Sequence, residues 1–269
     1  MNSTPEDTLA DRLQADRPHS ARVWNYLLGG KDNYIADQQV GDVILQMFPN
    51  IALIAREQRR FLSRAVRFLA GEAGVRQFLD IGTGLPTVDN THEVAQRVAS
   101  SSRIVYVDND PLVLVHARAL LTSSPEGACD YLDADVRDTD RILEGAAATL
   151  DFTQPIALTM LGIMGQLPDS ENPQSIVNRL LEALPSGSYL ALSDGTDTNA
   201  AQNEAIRVYN ESSASSYHVR SPERIATFFD GLELVEPGVV MTSRWRPEPV
   251  DGDSSPSEST AVCGVGRKP

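Results

Sequence analysis

A chain of 269 residues, 41% hydrophobic and 6% aromatic, can bury one sizeable core with an appended helical piece, which excludes disorder throughout. The formal net charge of −14 and an isoelectric point near 4.7 exclude the concentrated basic surface that a nucleic-acid backbone requires. Cys129 and Cys263 form neither a CxxC pair nor part of a Cys/His cluster, which excludes a disulfide framework and a structural zinc site.

No basic-then-apolar start and no apolar run of the roughly 18 residues that a membrane helix needs are present, so a cytoplasmic protein is expected. Residues 1–16 read as a polar tail. From Arg17 the text becomes Pro18-His19-Ser20-Ala21-Arg22-Val23-Trp24-Asn25-Tyr26-Leu27-Leu28-Gly29-Gly30-Lys31-Asp32-Asn33-Tyr34. Ser20 is expected to cap a short helix whose apolar positions Val23, Trp24, Leu27 and Leu28 follow helical spacing, with Gly29-Gly30 as its stop. Behind that hinge, Lys31, Asn33 and Tyr34 concentrate a cation, an amide and a phenol; with Tyr26 they are lid candidates. Lys31 and Lys268 are the only lysines.

A second helix is predicted over 36–47 and a third over 50–70, the latter placing Ile54, Phe61, Leu62, Ala65 and Leu69 on one face. Arg56, Arg60 and Arg64 share another face, read as solvated surface. The stretch that organises the chain follows: Phe78-Leu79-Asp80-Ile81-Gly82-Thr83-Gly84, a buried strand ending in an acid and a turn whose glycines let the backbone pass near a ligand. A GxGxxG fingerprint would need a third glycine where Thr87 stands, so the turn departs from the dinucleotide pattern. Asn90 with Glu93 makes a capping box, and His92 is expected to be an exposed residue of that helix's first turn.

Arg103-Ile104-Val105-Tyr106-Val107-Asp108 is the second strand, and a carboxylate at its tip suits a ribose diol. The expected ligand therefore carries an adenosine. Asp110-Pro111 caps the next helix, and a short third strand leads into Asp135, placed to accept an adenine amino group; ordinary loop acidity explains that residue equally well. Pro155–Gly162 reads as a fourth strand, a helix through Ile176, Val177, Leu180 and Leu181 follows, and Tyr189–Ser193 is a fifth strand. Alternating strands and helices imply a parallel sheet with the ligand at the carboxyl ends of the strands. Residues 195–218 are small and polar with Tyr209 and Tyr217 as anchors. A helix from Pro222 and a final strand pair, Leu232–Val240 with Ala261–Arg267, close the chain, joined by a Pro/Ser-rich mobile excursion over 247–259.

The order of these pieces resembles the class I S-adenosylmethionine-dependent methyltransferases. More narrowly, residues 17–34 together with Leu79-Asp80-Ile81-Gly82-Thr83-Gly84-Leu85-Pro86-Thr87 are similar to the actinobacterial S-adenosyl methyltransferase family once counted as a domain of unknown function. The resemblance implies an α/β, Rossmann-like, seven-stranded and mostly parallel sheet with helices on both faces, an antiparallel last strand and an N-terminal helical extension. It divides the chain into a tail (1–16), a helical cap or lid (17–71) and a methyltransferase domain (72–269). It implies that Asp80, Gly82, Thr83 and Gly84 hold the methionine part of the cofactor, Asp108 with Asn109 the ribose, Asp135 with Val136 the adenine, and that Met160 and Leu161 lie beside the sulfonium. No Asn-Pro-Pro-aromatic tetrad follows the fourth strand, so a small-molecule acceptor is expected, without metal, nucleic acid or membrane. Two other readings stay open on the residues: a cofactor-binding regulator that transfers nothing, since no catalytic base stands out, and a nicotinamide-dependent oxidoreductase, which lacks its fingerprint here.

Overall fold

The computed structural model describes residues 14–120, 122–213, 216–247 and 259–269. The start of the predicted tail, 1–13, and most of the predicted excursion, 248–258, lie outside the described residues. Among the described residues no helix is long and apolar enough to cross a membrane.

Largely apolar runs make the strands β1 (Gln77–Ile81), β2 (Arg103–Asp108), β3 (Ala128–Asp133), β4 (Ala157–Leu161) and β5 (Tyr189–Gly195), all parallel to one another. Two short pieces, β6 (Glu233–Leu234) and β7 (Val240–Met241), and the long return strand β8 (Ala261–Arg267) complete a sheet ordered β3-β2-β1-β4-β5-β8-β6, with β7 beside β8. β8 runs antiparallel to β5, and β6 and β7 pair with opposite ends of its other edge. Among the described residues the expected seven-stranded sheet thus has 8 strands, because the sixth position is split. Pro237 has no N–H to give a ladder and Gly238 sits at φ +85°, so the pairing lapses between Leu234 and Val240.

The helices are α1 (Ser20–Leu27), α2 (Ile35–Met47), α3 (Ile51–Gly71), α4 (Thr91–Val98), α5 (Pro111–Leu120), α6 (Thr139–Ala146), α7 (Pro173–Ala183), α8 (Ala200–Ser212) and α9 (Pro222–Ala226). Strand alternation sorts the core into two faces. Phe78, Ile104, Tyr106 and Ala157 point toward α3 and α4, where Phe61, Leu62, Ala65 and Leu69 meet them. Leu79, Val105, Leu158 and Met160 point the other way, toward α6, α7 and α9. A third cluster joins α1, α2 and the start of α3 to Ala205 and Tyr209 of α8, so the N-terminal helices lie across the top of the sheet.

Four local expectations change. His19, not Ser20, is the N-cap of α1, and no side chain caps it. Arg64 is not solvated: its guanidinium donates to the carbonyls of Trp245 (2.9 Å) and Thr242 (2.6 Å), tying α3 to the last strands. His92 is 3% exposed, its Nδ1 2.9 Å from the Tyr106 hydroxyl, and burial lowers its pKa. The small-polar stretch after β5 contains the full helix α8, capped by Asn199 and held by Ala205 and Tyr209 one turn apart.

The capping box at α4 is present as predicted, with Asn90 N–H donating to Glu93 Oε2 (2.8 Å) and the N3 N–H returning to Asn90. Replacing Asn90 by Ala is expected to cost about 1 kcal/mol, read as a lower urea midpoint with an unchanged slope.

Candidate functional site

Strand order reverses at β1, which has β2 on one side and β4 on the other, and such a point leaves a crevice at the strands' carboxyl ends. A cavity of about 570 Å³ opens there, lined by Asp80, Gly82, Thr83, Gly84, Asp108, Asn109, Asp135, Val136 and Leu161. Gly82 and Gly84 take φ of +72° and +67°, a conformation that L side chains resist. A Cβ on Gly82 would stand 2.8 Å from Ile163 Cδ1, whereas one on Gly84 would meet nothing within 4 Å.

The turn's own N–H groups are already bound. Gly82 N–H donates to Val107 O (2.9 Å), Thr83 N–H to the same carbonyl (3.3 Å), and Gly84 N–H to Asp108 Oδ2 (2.8 Å). The turn therefore offers shape and no cluster of donors, unlike a loop that holds a pyrophosphate.

Asp80 is buried on the α3 face. Its Oδ1 accepts from the Thr159 hydroxyl of β4 (2.7 Å) and its Oδ2 from the Thr91 hydroxyl of α4 (2.6 Å). Burial raises its pKa, opposed by these two bonds and by the charge of Arg59. Asp108 accepts from Gly84 N–H and from Asp110 N–H (2.9 Å on Oδ1), and burial raises its pKa as well. Each of its oxygens keeps one lone pair for a ligand. Asp135 takes the Asn109 side-chain amide (3.0 Å) and pairs with Arg137 (3.1 Å).

Met160 does not reach the cavity. It is fully buried in the core on the α6/α7 face, because neighbours along a strand point to opposite faces and Leu161 holds the cavity side. The loop after it contributes Gly162 and Ile163 instead. None of the lid candidates lines the cavity either. Tyr26 donates to Asp42 (2.5 Å), Asn33 donates to Asn25 Oδ1 (2.8 Å) and Gly30 O (3.0 Å), and Tyr34 packs under the Arg22 guanidinium, 5.2 Å from its ring centroid. Lys31 is exposed. Asn33 and Tyr34 fold the turn between α1 and α2, while α1 presents Val23, Trp24 and Leu27 to the cavity, with Leu28 just after it.

Arg59 is the residue that sequence reasoning passed over. It lines the cavity, its Nη2 donates to the carbonyls of Val88 (3.1 Å) and Asp89 (3.0 Å), and its buried Nε has no partner. Burial lowers its pKa, opposed first by the charge of Asp80. The signal was an arginine in register with Ala55, Leu62 and Val66 on the inward stripe of α3. Among the described residues no group of three or more His, Cys, Asp or Glu could hold a metal ion.

A family profile described as S-adenosyl methyltransferase matches residues 6–269. The chain belongs to this family. The methyltransferase is similar to a DUF574 family protein from Streptomyces avermitilis, at 44% identity and a TM-score of 0.91 over 96% of this chain and 100% of that one. It is also similar to a protein from Thermobifida fusca taken to be a methyltransferase, at 44% identity and TM-score 0.86 over 99% of each chain. An O-methyltransferase family protein from Burkholderia thailandensis shares the fold at 12% identity, TM-score 0.54, over 97% of this chain and 67% of that one. A search of proteins with curated descriptions matched none. The protein is an S-adenosylmethionine-dependent methyltransferase with a Rossmann-like sheet.

Gly84→Ala carries only the strain of positive φ, about 1 kcal/mol, whereas Gly82→Ala also forces the Ile163 side chain to shift. Thermal unfolding is expected to show the larger loss for Gly82→Ala, with Ile163→Val in the same chain recovering part of it.

Proposed function

We propose that the methyltransferase acts on an uncharged, largely apolar small molecule bound in the far half of this cavity, in a cytoplasmic setting. The observation that carries this reading is the wall there: Val23, Trp24, Leu27, Phe48, Ile54 and Ala205. The basic side chains lining the cavity among the described residues are His19, paired with Asp110, Arg59, beside Asp80, and Arg137, paired with Asp135 and Glu171. Each stands beside an acid. The net charge of −14 further disfavours a nucleic-acid acceptor.

The residues of the near half fit the cofactor. Its amino-acid end is a zwitterion, and Asp80 with Arg59 offers a buried charge of each sign beside the glycine turn, the latter with an unpartnered Nε. Asp108 has free lone pairs for the ribose hydroxyls, with Asn109 beside it. Asp135 and Val136 border the place for the base, one as a hydrogen-bond acceptor and the other as an apolar face. Leu161, Gly162 and Ile163 take the position by the sulfonium that the family pattern implies for Met160 and Leu161. When bound, the cofactor supplies an electrophilic methyl group. The chain's part is to hold the two partners in line and to exclude water with the apolar faces of α1, α2 and α8.

Arg59→Gln is expected to weaken S-adenosylmethionine binding about 10- to 100-fold in calorimetry, since a charge-assisted hydrogen bond is worth about 1.5–3 kcal/mol. Binding of 5′-methylthioadenosine, which lacks the amino-acid end, should stay the same, while Asp108→Ala should weaken both. With labelled S-adenosylmethionine and a cell extract, label is expected in the small-molecule fraction. Label confined to precipitated protein or nucleic acid overturns the small-molecule reading.

A further inference from the structure

The cavity continues past β4 to the end of β5, where none of the cofactor residues lies. Asp194 is the last residue but one of that strand, 2% exposed, its Oδ2 accepting from Gly165 N–H (2.7 Å) and its Oδ1 from Gly195 N–H (3.0 Å) and from the Tyr217 hydroxyl. Tyr217 lines the cavity. Its main chain is clamped to α8, donating to Asn210 Oδ1 (2.7 Å) and accepting from the Asn210 amide (2.8 Å). Its ring lies in a slot that the missing side chain of Gly165 permits: a Cβ there would stand 2.4 Å from ring atoms. The hydroxyl donates to Asp194 and accepts from Gly195 N–H (3.2 Å), which leaves it one lone pair.

A phenol packed only for stability has no need of a buried carboxylate as partner, since burying that charge is costly and a neutral acceptor would serve. Tyr217 lines the cavity end next to the apolar wall, with Asp194 buried behind it one strand beyond Leu161 of β4. We propose that Tyr217 and Asp194 form a proton relay for the methyl acceptor, and that this acceptor is an apolar molecule bearing a hydroxyl group; this rests on the small-molecule reading above. The acceptor's O–H bond breaks and its proton passes to Tyr217 Oη, while the tyrosine's own proton passes to Asp194 Oδ1. The electron pair left on the acceptor oxygen forms the bond to the methyl carbon. The carbon–sulfur bond breaks with its electrons remaining on sulfur, and the net proton leaves to solvent once the product has gone.

The electrostatics agree. Burial lifts Asp194 to about 6, against the Tyr217 hydrogen bond, so it is an ionised base near neutral pH, whereas burial and Asp194 push Tyr217 well above its ordinary value, so the phenol transfers a proton only by passing one on. The charge facing the pair is that of Arg220, which is held by Asp169 (2.8 Å) and by the carbonyls of Met164 (2.8 Å) and Leu167 (2.5 Å). His218, next in the chain, is turned to the Ser216 hydroxyl (2.9 Å).

The experiment incubates the full chain with methyl-labelled S-adenosylmethionine and the filtered small-molecule fraction of its source cells. Expected is an alkali-stable methyl ether as product, and a rate that falls as pH drops through about 6, where Asp194 gains its proton. Tyr217→Phe, which keeps the ring in its slot, should lose about 100-fold or more in rate with cofactor affinity unchanged, while the lost hydrogen bond to the buried carboxylate lowers the melting temperature. Asp194→Asn should lose the acid limb. A labelled amine, thioether or ester, a wild-type rate flat across that pH range, or full activity in Tyr217→Phe overturns the relay and leaves the small-molecule reading standing. Wild-type protein that leaves this fraction unlabelled but labels macromolecules in the unfiltered extract overturns both.

Discussion

A desolvated carboxylate at the tip of β1 is the constraint on which the site depends. Asp80 takes one hydroxyl from β4 and one from α4, and it faces the guanidinium of Arg59 on α3, so three elements of the fold converge on one charge. Burying a carboxylate is tolerable only when its oxygens are satisfied and an opposite charge is near. Satisfying Asp80 therefore fixes where α4 begins and how far β4 extends, and with them the mouth of the cavity. Thr91, Thr159 and Arg59 lie far apart in sequence, and each is placed by a different element.

The turn that follows is held from the second strand. Val107 O and Asp108 consume its N–H groups, so what the turn presents to a ligand is the absence of side chains at Gly82 and Gly84. A loop built that way suits a cationic ligand approaching by shape more than a polyphosphate seeking donors. The ribose acid is thus also a structural brace, and the two duties are compatible because a carboxylate has more lone pairs than the brace uses.

Opposite this polar rim, the wall is made by elements that are not part of the sheet. α1 and α2 pack on α8 through Val23, Leu27, Ile44, Phe48, Ala205 and Tyr209, closing the cavity with apolar surface. The Asn210 clamp on α8 then sets the segment that returns Tyr217 to the strand ends. A wall assembled in this way can vary with the acceptor while the sheet and its turn stay unchanged.

The periodic apolar runs, the acids that end β1 and β2, the glycines between them and the Asn90 capping box were legible in the sequence, because each is a local consequence of backbone geometry. The pairing of Asp80 with Thr91 and Thr159, the burial of Arg59, Arg64 and His92, and the helix in residues 200–212 were not. Those depend on which side chains meet once strands distant in the chain lie side by side. Met160 and Leu161 illustrate the boundary. The strand that contains them was plain from composition, but which of the two faces the cavity follows from register against β1, and register is a property of the assembled sheet. In the same way Lys31, Asn33 and Tyr34 read as a dense polar cluster, and only the packing of α1 against α2 turned Asn33 and Tyr34 onto their own turn, left Lys31 exposed and gave the cavity wall to Val23, Trp24 and Leu27.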